Sequence, residues 1–203
     1  RDEIIYGACA LDDDGTIIYR TGLGHGDALH VGDFDPDRNG LEVMMVHEEV
    51  SAKYGVEMHD ALTGEVLVGK FTGTDVGRGL CADVDAEARG CEYWSAAGNE
   101  VYGCDGSVIS TKRPTVNFRT YWDGDLQEET TEKGVITKWR GRTQSATTLV
   151  DMPSKYGAGT NVIKYTPCLQ ADIFGDWREE QIYYDEKTMS HLWIFSTPYA
   201  SDY

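Results

Sequence analysis

A short acidic pattern at residues 32–43, GDFDPDRNGLEV, decides the fold of this chain, because related copies of it recur. The copy at residues 82–93 reads ADVDAEARGCEY, with alternating aspartates, a turn and a glutamate ahead of aromatic residues. A looser copy at residues 123–128 reads DGDLQE, and a shortened copy at residues 171–182 reads ADIFGDWREEQI. The leading aspartates recur every 40 to 50 residues, at Asp33, Asp83, Asp123 and Asp172. This period is typical of propeller blades of four strands.

Short turn sequences between the copies predict β-hairpins. Asp-Gly or Thr-Gly steps flanked by apolar residues lie at residues 13–16, 62–65 and 103–106. Such steps are strong hairpin signals, because glycine accepts the positive φ of tight turns. No long window keeps the i, i+3, i+4 apolar spacing of an amphipathic helix. The sequence therefore predicts an all-β chain with almost no helix.

Composition excludes several classes of function. The net charge of −17 and the sequence pI near 4.5 oppose binding to nucleic acid or to anionic lipid, which both need basic surface. The sequence has no signal peptide and no apolar run that could span a membrane. Its five cysteines are odd in number and lack C-x-x-C spacing. They therefore predict buried thiols in strands, with neither structural zinc nor a disulfide framework.

Potential metal ligands are concentrated at residues 24–37, which read GHGDALHVGDFDPD, and at residues 47–49, which read HEE. The first segment contains two histidines and four aspartates but no lysine or arginine. A bound divalent ion would explain this density of acid, and ligands that are mostly oxygen favour calcium or magnesium over zinc. Histidine is an uncommon calcium ligand, so the residues alone leave zinc and manganese open.

Several separate motifs keep the spacing of one known family. They read HGDALH at residues 25–30, VHE at 46–48, DVGRG at 75–79, WDGDL at 122–126 and LQADIFGDWREE at 169–180. They resemble the family-11 polysaccharide lyases, which cleave rhamnogalacturonan. The resemblance implies an eight-bladed β-propeller that carries many calcium ions. It identifies residues 1–203 as a partial catalytic β-propeller domain, an internal fragment truncated at both ends, with roughly four to five blades.

The resemblance also implies the site residues. His25, Asp27 and Glu48 match positions that hold a calcium ion in the active cleft. Arg78 matches a cleft arginine suited to binding a galacturonate carboxylate. Lys164 matches a cleft lysine. This lysine could remove the proton on C5 of the galacturonate, next to its carboxylate, or could only neutralise that carboxylate.

The segment before Lys164 departs from the family. Many family members read Asn-Gly-Thr-Lys where this chain reads NVIK at residues 161–164. Asn161 is retained and is a predicted sugar-binding residue. The glycine and threonine are associated with holding rhamnose. Val162 and Ile163 therefore predict an altered subsite, a preference for a different end of the polymer, or lost activity.

The acids of the repeats predict structural calcium loops between strands. Alternate carboxylates followed by a later glutamate supply the spaced oxygens that calcium prefers. The predicted ligands are Asp33, Asp35, Asp37, Glu42, Asp83, Asp85, Glu92, Asp172, Asp176 and Glu180.

The predicted function is calcium-dependent β-elimination on the rhamnose–galacturonate backbone of rhamnogalacturonan I. The expected partner is therefore an anionic plant polysaccharide, and the expected form is a monomer, secreted or held at the surface or in the periplasm of a bacterium. One alternative is a non-catalytic calcium-stabilised propeller module that binds carbohydrate or protein. A metal-dependent hydrolase is a second alternative, but it needs a paired general acid and base, which the sequence does not single out.

Overall fold

The computed structural model describes residues 3–201 and confirms the all-β prediction. Within that range the chain forms nineteen strands, one short helix and one 3₁₀ turn. The helix α1 spans Met152–Tyr156, and the 3₁₀ turn spans Gly141–Thr143. No helix in the described part is long and apolar enough to cross a membrane. Residues 1, 2, 202 and 203, the ends of the predicted domain, lie outside the described residues.

The described strands form five antiparallel sheets in chain order. The first sheet comprises β1 Ile4–Tyr6, β2 Cys9–Leu11 and β3 Ile17–Arg20. The second comprises β4 Ala28–Gly32, β5 Glu42–Val46, β6 Val56–Asp60 and β7 Val66–Lys70. The third comprises β8 Gly79–Ala82, β9 Glu92–Ser95, β10 Val101–Tyr102 and β11 Val108–Ser110.

The fourth sheet comprises β12 Phe118–Thr120, β13 Glu129–Glu132, β14 Val135–Arg140 and β15 Ser145–Asp151. The fifth comprises β16 Ala158–Gly159, β17 Leu169–Ala171, β18 Glu180–Asp185 and β19 Leu192–Phe195. Strands in the first four sheets pair in sequence order, whereas in the fifth sheet β18 pairs with β16, β17 and β19.

The chain divides into two compact units. The first comprises the chain up to Ala82 together with Ala86–Val116, and the second comprises Asp83–Asp85 and the chain from Asn117 onwards. Each unit has its own apolar core. Met44, Met58 and Tyr93 are buried in the first unit, whereas Trp122 and Tyr183 are buried in the second.

The predicted hairpins and the repeat are confirmed. Residues 13–16 join β2 to β3, residues 62–65 lie between β6 and β7, and residues 103–106 join β10 to β11. The leading aspartate of each copy comes within three residues of the end of a strand: Asp33 after β4, Asp83 after β8, Asp123 after β12 and Asp172 after β17.

A buried glutamate begins the next strand of each copy. These residues are Glu42, Glu92, Glu129 and Glu180. In the third copy the sequence pattern ended at Glu128, but it is Glu129 that begins β13. Glu128 instead pairs with the Arg119 guanidinium.

No disulfide joins the five cysteines, all of which lie in the described part of the chain, and most of them are not buried. Cys81 is buried within β8, whereas Cys168 is exposed. The remaining three are half-buried. The prediction of buried thiols in strands was therefore correct only for Cys81. Cys91, Cys104 and Cys168 lie in connections, and Cys9 lies in β2 but is only half-buried.

Candidate metal and substrate site

His25, Asp27 and Glu48 converge in the first unit. One ligand atom from each of the three lies within 4.8 Å of the others. The Nδ1 atom of His25 is 3.1 Å from the Oε2 atom of Glu48. The side chains of His25 and Asp27 are exposed and Glu48 is half-buried, so the cluster is open to solvent. A nitrogen and carboxylate oxygens in this arrangement fit a divalent cation.

Gly26 explains how these residues meet. The segment that contains them runs against the end of β5, and a Cβ atom at Gly26 would lie 1.8 Å from the backbone oxygen of Val46. Only glycine allows this close approach. The amide of Glu48 donates to the His25 carbonyl at 3.0 Å, which holds the two ligand-bearing segments together.

Arg78 lies in a loop beside the same cluster. The amide of Val76 donates to the His47 carbonyl at 3.1 Å, so the loop is hydrogen bonded to the residue that precedes Glu48. A Cβ atom at Gly77 would lie 3.7 Å from the Oδ2 atom of Asp27. The half-buried Arg78 then follows, and its carbonyl accepts from Ala96. The predicted cation ligands therefore lie beside the segment that carries Arg78, the predicted substrate-binding arginine.

A buried polar network that the sequence did not predict lies behind this site. The Oε1 atom of Glu57 is 3.2 Å from His47 Nε2 and 3.0 Å from His59 Nδ1. The Tyr19 hydroxyl lies 3.1 Å from His59 Nε2. His47, Glu57 and His59 are fully buried. Burial raises the pKa of Tyr19 to about 12, with the nearby Glu57 charge acting in the same direction. The only signal in the sequence was Glu57 and His59 next to apolar residues, with His47 directly after an apolar run.

Lys164 and Asn161 lie in an exposed loop of the second unit. The Oδ1 atom of Asn161 accepts from the amide of Lys164 at 2.6 Å and from the amide of Tyr165 at 3.0 Å. Its amide nitrogen contacts the Thr166 hydroxyl. Asn117, which sequence reasoning did not assign a role, donates to the Lys164 carbonyl at 2.8 Å. Asn161 therefore organises the loop that presents Lys164.

Val162 and Ile163 are the most exposed apolar side chains of this loop. Val162 is 82% exposed and Ile163 is 78% exposed. Isolated exposed apolar residues are ordinary, but two adjacent ones at such exposure do not serve the core. Val162 and Ile163 therefore contribute little to the apolar core of the second unit.

The acids of the first repeat are partly occupied by the protein itself. Glu42 Oε2 accepts from the amides of Phe34 and Asp35, at 2.9 and 3.1 Å. Asp35 in turn accepts from the Asp37 amide. The Arg89 guanidinium holds the pKa of the Asp37 carboxyl below its ordinary value through a direct ion pair. The repeat glutamate therefore shapes the loop, whatever else the loop binds.

The fourth repeat uses the same device. Glu180 Oε2 accepts from the amides of Ile173 and Phe174 at 2.9 and 3.1 Å. The Asp172 carboxylate accepts from three amides of the loop, at residues 175, 176 and 177. Arg178 pairs with Asp176 at 2.6 Å and lowers its pKa.

The second repeat is divided between the two units. Asp83 lies in the second unit, where burial raises its pKa although Gln127 hydrogen bonds to it. Asp85 lies against Gly141, and Glu92 is buried in the first unit.

Among the described residues, only one further cluster brings three potential ligand atoms within 4.8 Å. It consists of Asp123, Asp125 and Glu129 in the third repeat. The predicted loops around Asp33, Asp83 and Asp172 do not form such a cluster, so calcium binding there stays a prediction.

Comparison with known proteins places the chain in a family. Residues 1–203 match the family described as "Rhamnogalacturonan lyase family 11, C-terminal domain". The chain belongs to this family. It is 45% identical over 204 residues to rhamnogalacturonan endolyase YesW of Bacillus subtilis (strain 168), covering 100% of this chain and 32% of that protein. It is 44% identical over 217 residues to rhamnogalacturonan exolyase YesX of the same organism, covering 99% of this chain and 35% of that protein.

Solved structures of family members have the same fold. The crystal structure of YesW matches with a TM-score of 0.93 at 43% identity, over 99% of this chain and 34% of that one. The Bacillus licheniformis rhamnogalacturonan lyase PL11 matches with a TM-score of 0.92 at 43% identity, over 98% and 33%. This member of the rhamnogalacturonan lyase family thus spans about a third of the length of these relatives.

Proposed function

We propose that this chain is part of the catalytic β-propeller of a calcium-dependent rhamnogalacturonan lyase. The observation that carries the proposal is the convergence of His25, Asp27 and Glu48 beside the Arg78 loop, in a chain that belongs to this lyase family. The five antiparallel sheets support the interpretation that the domain forms roughly four to five blades of a longer propeller. Relatives named endolyase and exolyase match the chain at 45% and 44% identity.

The cation ligands in this proposal are His25, Asp27 and Glu48. Calcium held there would stabilise the negative charge that develops on a galacturonate carboxylate when the neighbouring C5 loses its proton. The solvent-open position of all three side chains supports this role, because a cation that meets substrate needs coordination positions that the protein does not fill. Glu57 behind the site holds His47, which fixes the backbone next to Glu48.

Arg78 and Lys164 act on the substrate. The Arg78 guanidinium binds the uronate carboxylate through paired hydrogen bonds. Lys164 either accepts the C5 proton or neutralises the substrate carboxylate. Once the C5 proton has left, the C5–H electrons form a C4–C5 double bond and the C4–O bond breaks. The leaving sugar oxygen takes up a proton, and the new chain end carries an unsaturated uronate. We propose that the protein acts as a monomer. Because the polymer is large, we also propose that the protein acts outside the bacterial cytoplasm, where it is secreted, periplasmic or at the cell surface.

A non-catalytic carbohydrate-binding module is the second candidate. It is favoured by the exposed Val162 and Ile163, which stand where the resemblance associates glycine and threonine with rhamnose binding. An altered subsite beside Lys164 would weaken or redirect cleavage. Calcium could still mediate binding of the anionic polymer to the protein.

The test uses the complete protein that carries this chain, incubated with rhamnogalacturonan I with and without a chelator. The readout is the ultraviolet absorbance of the unsaturated uronate. A rise that the chelator abolishes and calcium restores is expected. Arg78→Ala and Lys164→Ala should each lower the rate at least about 10²-fold. Exposed controls, Arg142→Ala and Lys155→Ala, should leave it unchanged.

Two outcomes would overturn the proposal. Polymer binding without any absorbance rise would assign the chain to the binding module. A rate that is unaffected by chelation, with the metal shown to be removed, would reject the calcium-dependent mechanism.

A further inference from the structure

The third repeat loop already contains a cation, which is supplied by the chain. The Lys138 Nζ atom lies 2.5 Å from Asp125 Oδ1, 2.7 Å from Glu129 Oε1 and 2.9 Å from Asp123 Oδ2. These are the three acids that bring their ligand atoms within 4.8 Å. The Nζ atom also donates to the Gln127 carbonyl oxygen at 3.4 Å, so the ammonium is surrounded by acceptors. The charge of the loop is thus partly neutralised from within the second unit.

Strand register places the lysine there. Thr130 pairs with Thr137 across β13 and β14, so one step further along these antiparallel strands Lys138 lies opposite Glu129. In the first repeat the residue opposite Glu42 is Asp60. The same position in the sheet thus carries an acid in one repeat and a lysine in another.

The first repeat neutralises this position differently. Arg38, which comes from the loop itself, lies 3.6 Å from Glu42 and 3.3 Å from Asp60, and its side chain is more than a third exposed. Lys138 is only 5% exposed and Glu129 is fully buried. A long flexible cation at the rim can move aside for another ion, whereas a buried lysine on a central strand cannot do so without leaving three carboxylates.

The surroundings of Lys138 favour the charged form of its side chain. Burial opposes its charge, but the hydrogen bonds that the ammonium donates to Asp125 and Glu129 leave the pKa of Lys138 raised. Burial raises the pKa of Glu129 to about 7, and Lys138 acts in the opposite direction. Calcium would need the same oxygens at about 2.3–2.6 Å, where its two charges would meet the ammonium.

We propose that the Asp123–Asp125–Glu129 loop is a cation site whose resident cation is the Lys138 ammonium, so that this repeat holds no divalent metal. It differs in this from the other repeats, whose loops stay candidates for calcium. The proposal does not depend on lyase activity, because it concerns the stability and metal content of one loop.

The test compares the complete wild-type protein with Lys138→Met, which keeps the length of the side chain and removes its charge. In chelator the variant should unfold about 5–10 °C below the wild type, because three acids lose their counter-ion. Calcium should restore more of the unfolding temperature in the variant than in the wild type. Lys187→Met, at an exposed lysine, is the control and should behave as the wild type in both conditions.

Terbium provides a second readout that is local to the loop. Trp122 directly precedes Asp123, so a terbium ion in this loop should emit by energy transfer from that indole. Lys138→Met should bind one more terbium ion per chain than the wild type and give stronger sensitised emission. Equal emission and equal thermal stability of the two proteins in chelator would overturn the proposal.

A third experiment decides the matter if Lys138→Met does not fold. Asp123→Asn combined with Lys138→Met should recover stability, because the neutral amide leaves less charge to balance. No recovery would mean that the lysine serves only packing and would overturn the proposal. Anomalous scattering from a metal in the wild-type loop, with Lys138 displaced, would also do so.

Discussion

The Nε2 atom of His47 lies 3.2 Å from the Oε1 atom of Glu57, and both side chains are fully buried. His47 directly precedes Glu48, and its carbonyl accepts from the Val76 amide in the Arg78 loop. The buried pair therefore anchors the backbone between two parts of the candidate site. The buried Glu57 carboxylate in turn has the ring nitrogens of His47 and His59 as its hydrogen-bond partners.

Glu57→Ala should destabilise the protein by about 1–3 kcal/mol, because it leaves the ring nitrogens of His47 and His59 buried without their shared acceptor. Glu57→Gln keeps an acceptor and should cost less. Thermal unfolding measures both, and Glu65→Gln, at an exposed position nearby, is the matched control. A loss no larger than that of the control would remove the structural role assigned to this network.

Gly26→Ala should disrupt the cation site without altering any ligand. Its Cβ atom would overlap the Val46 carbonyl, which forces His25 and Asp27 away from Glu48. Calcium affinity, measured by titration calorimetry, should fall about 10-fold or more, as for the loss of residues that orient metal ligands. Gly15→Ala is a control, since its Cβ meets no atom within 4 Å, although its positive φ carries some strain. Unchanged affinity would show that the three residues do not act as one site.

Glu180→Ala should destabilise the fourth repeat by about 1–3 kcal/mol, because the amides of Ile173 and Phe174 lose their acceptor. Glu180→Gln should retain most of the stability through its carbonyl oxygen. Hydrogen exchange at these two amides reports the change locally, with the exposed Glu186→Ala as reference. Unaltered exchange in Glu180→Ala would contradict the shaping role of the repeat glutamate.

Replacing Val162 by Gly together with Ile163 by Thr should raise the rate on rhamnogalacturonan I, since it removes two exposed apolar side chains beside Lys164. The expected change is in KM rather than kcat, because the residues would contact sugar and not the reacting carbon. Neither side chain supports the core, so the unfolding temperature should stay the same. A higher KM in the double variant would mean that the apolar pair itself binds the substrate.

Asp185 should contribute stability that disappears in acid. The Thr188 hydroxyl and amide donate to its carboxylate at 2.5 and 2.7 Å, and the hydroxyl bond is the largest cause of its lowered pKa. His191 and Trp193 also face this carboxylate, at 3.7 and 3.4 Å. The contribution is present above the ordinary carboxyl pKa of about 4 and is lost as the pH falls through the lower folded-state value.

Thr188→Val tests this linkage, because it removes the hydroxyl donor. The difference in unfolding temperature between wild type and variant should be largest near neutral pH and should vanish in strong acid. A difference that persists at low pH would show that the threonine acts through packing instead.

Local chemistry made much of the fold predictable. The Asp-Gly and Thr-Gly steps specify hairpin turns through their own backbone preferences, and the recurring aspartates show the spacing of the four-stranded units. His25, Asp27 and Glu48 were predicted as one site from residue type and resemblance, and the structure brings them together. For the turns and the repeat, neighbours in sequence carry the information, whereas Glu48 was joined to His25 and Asp27 through the resemblance.

What only the tertiary structure decided are the relationships across strands. Sequence spacing could not reveal that Glu57 lies between His47 and His59, that Gly26 packs on the Val46 carbonyl, or that Asn117 and Asn161 hold the Lys164 loop. Nor could it show that Lys138 enters the third acidic loop, because this depends on the register of β13 against β14. Register is set by long-range pairing, and a shift of one residue would turn the lysine to the opposite face.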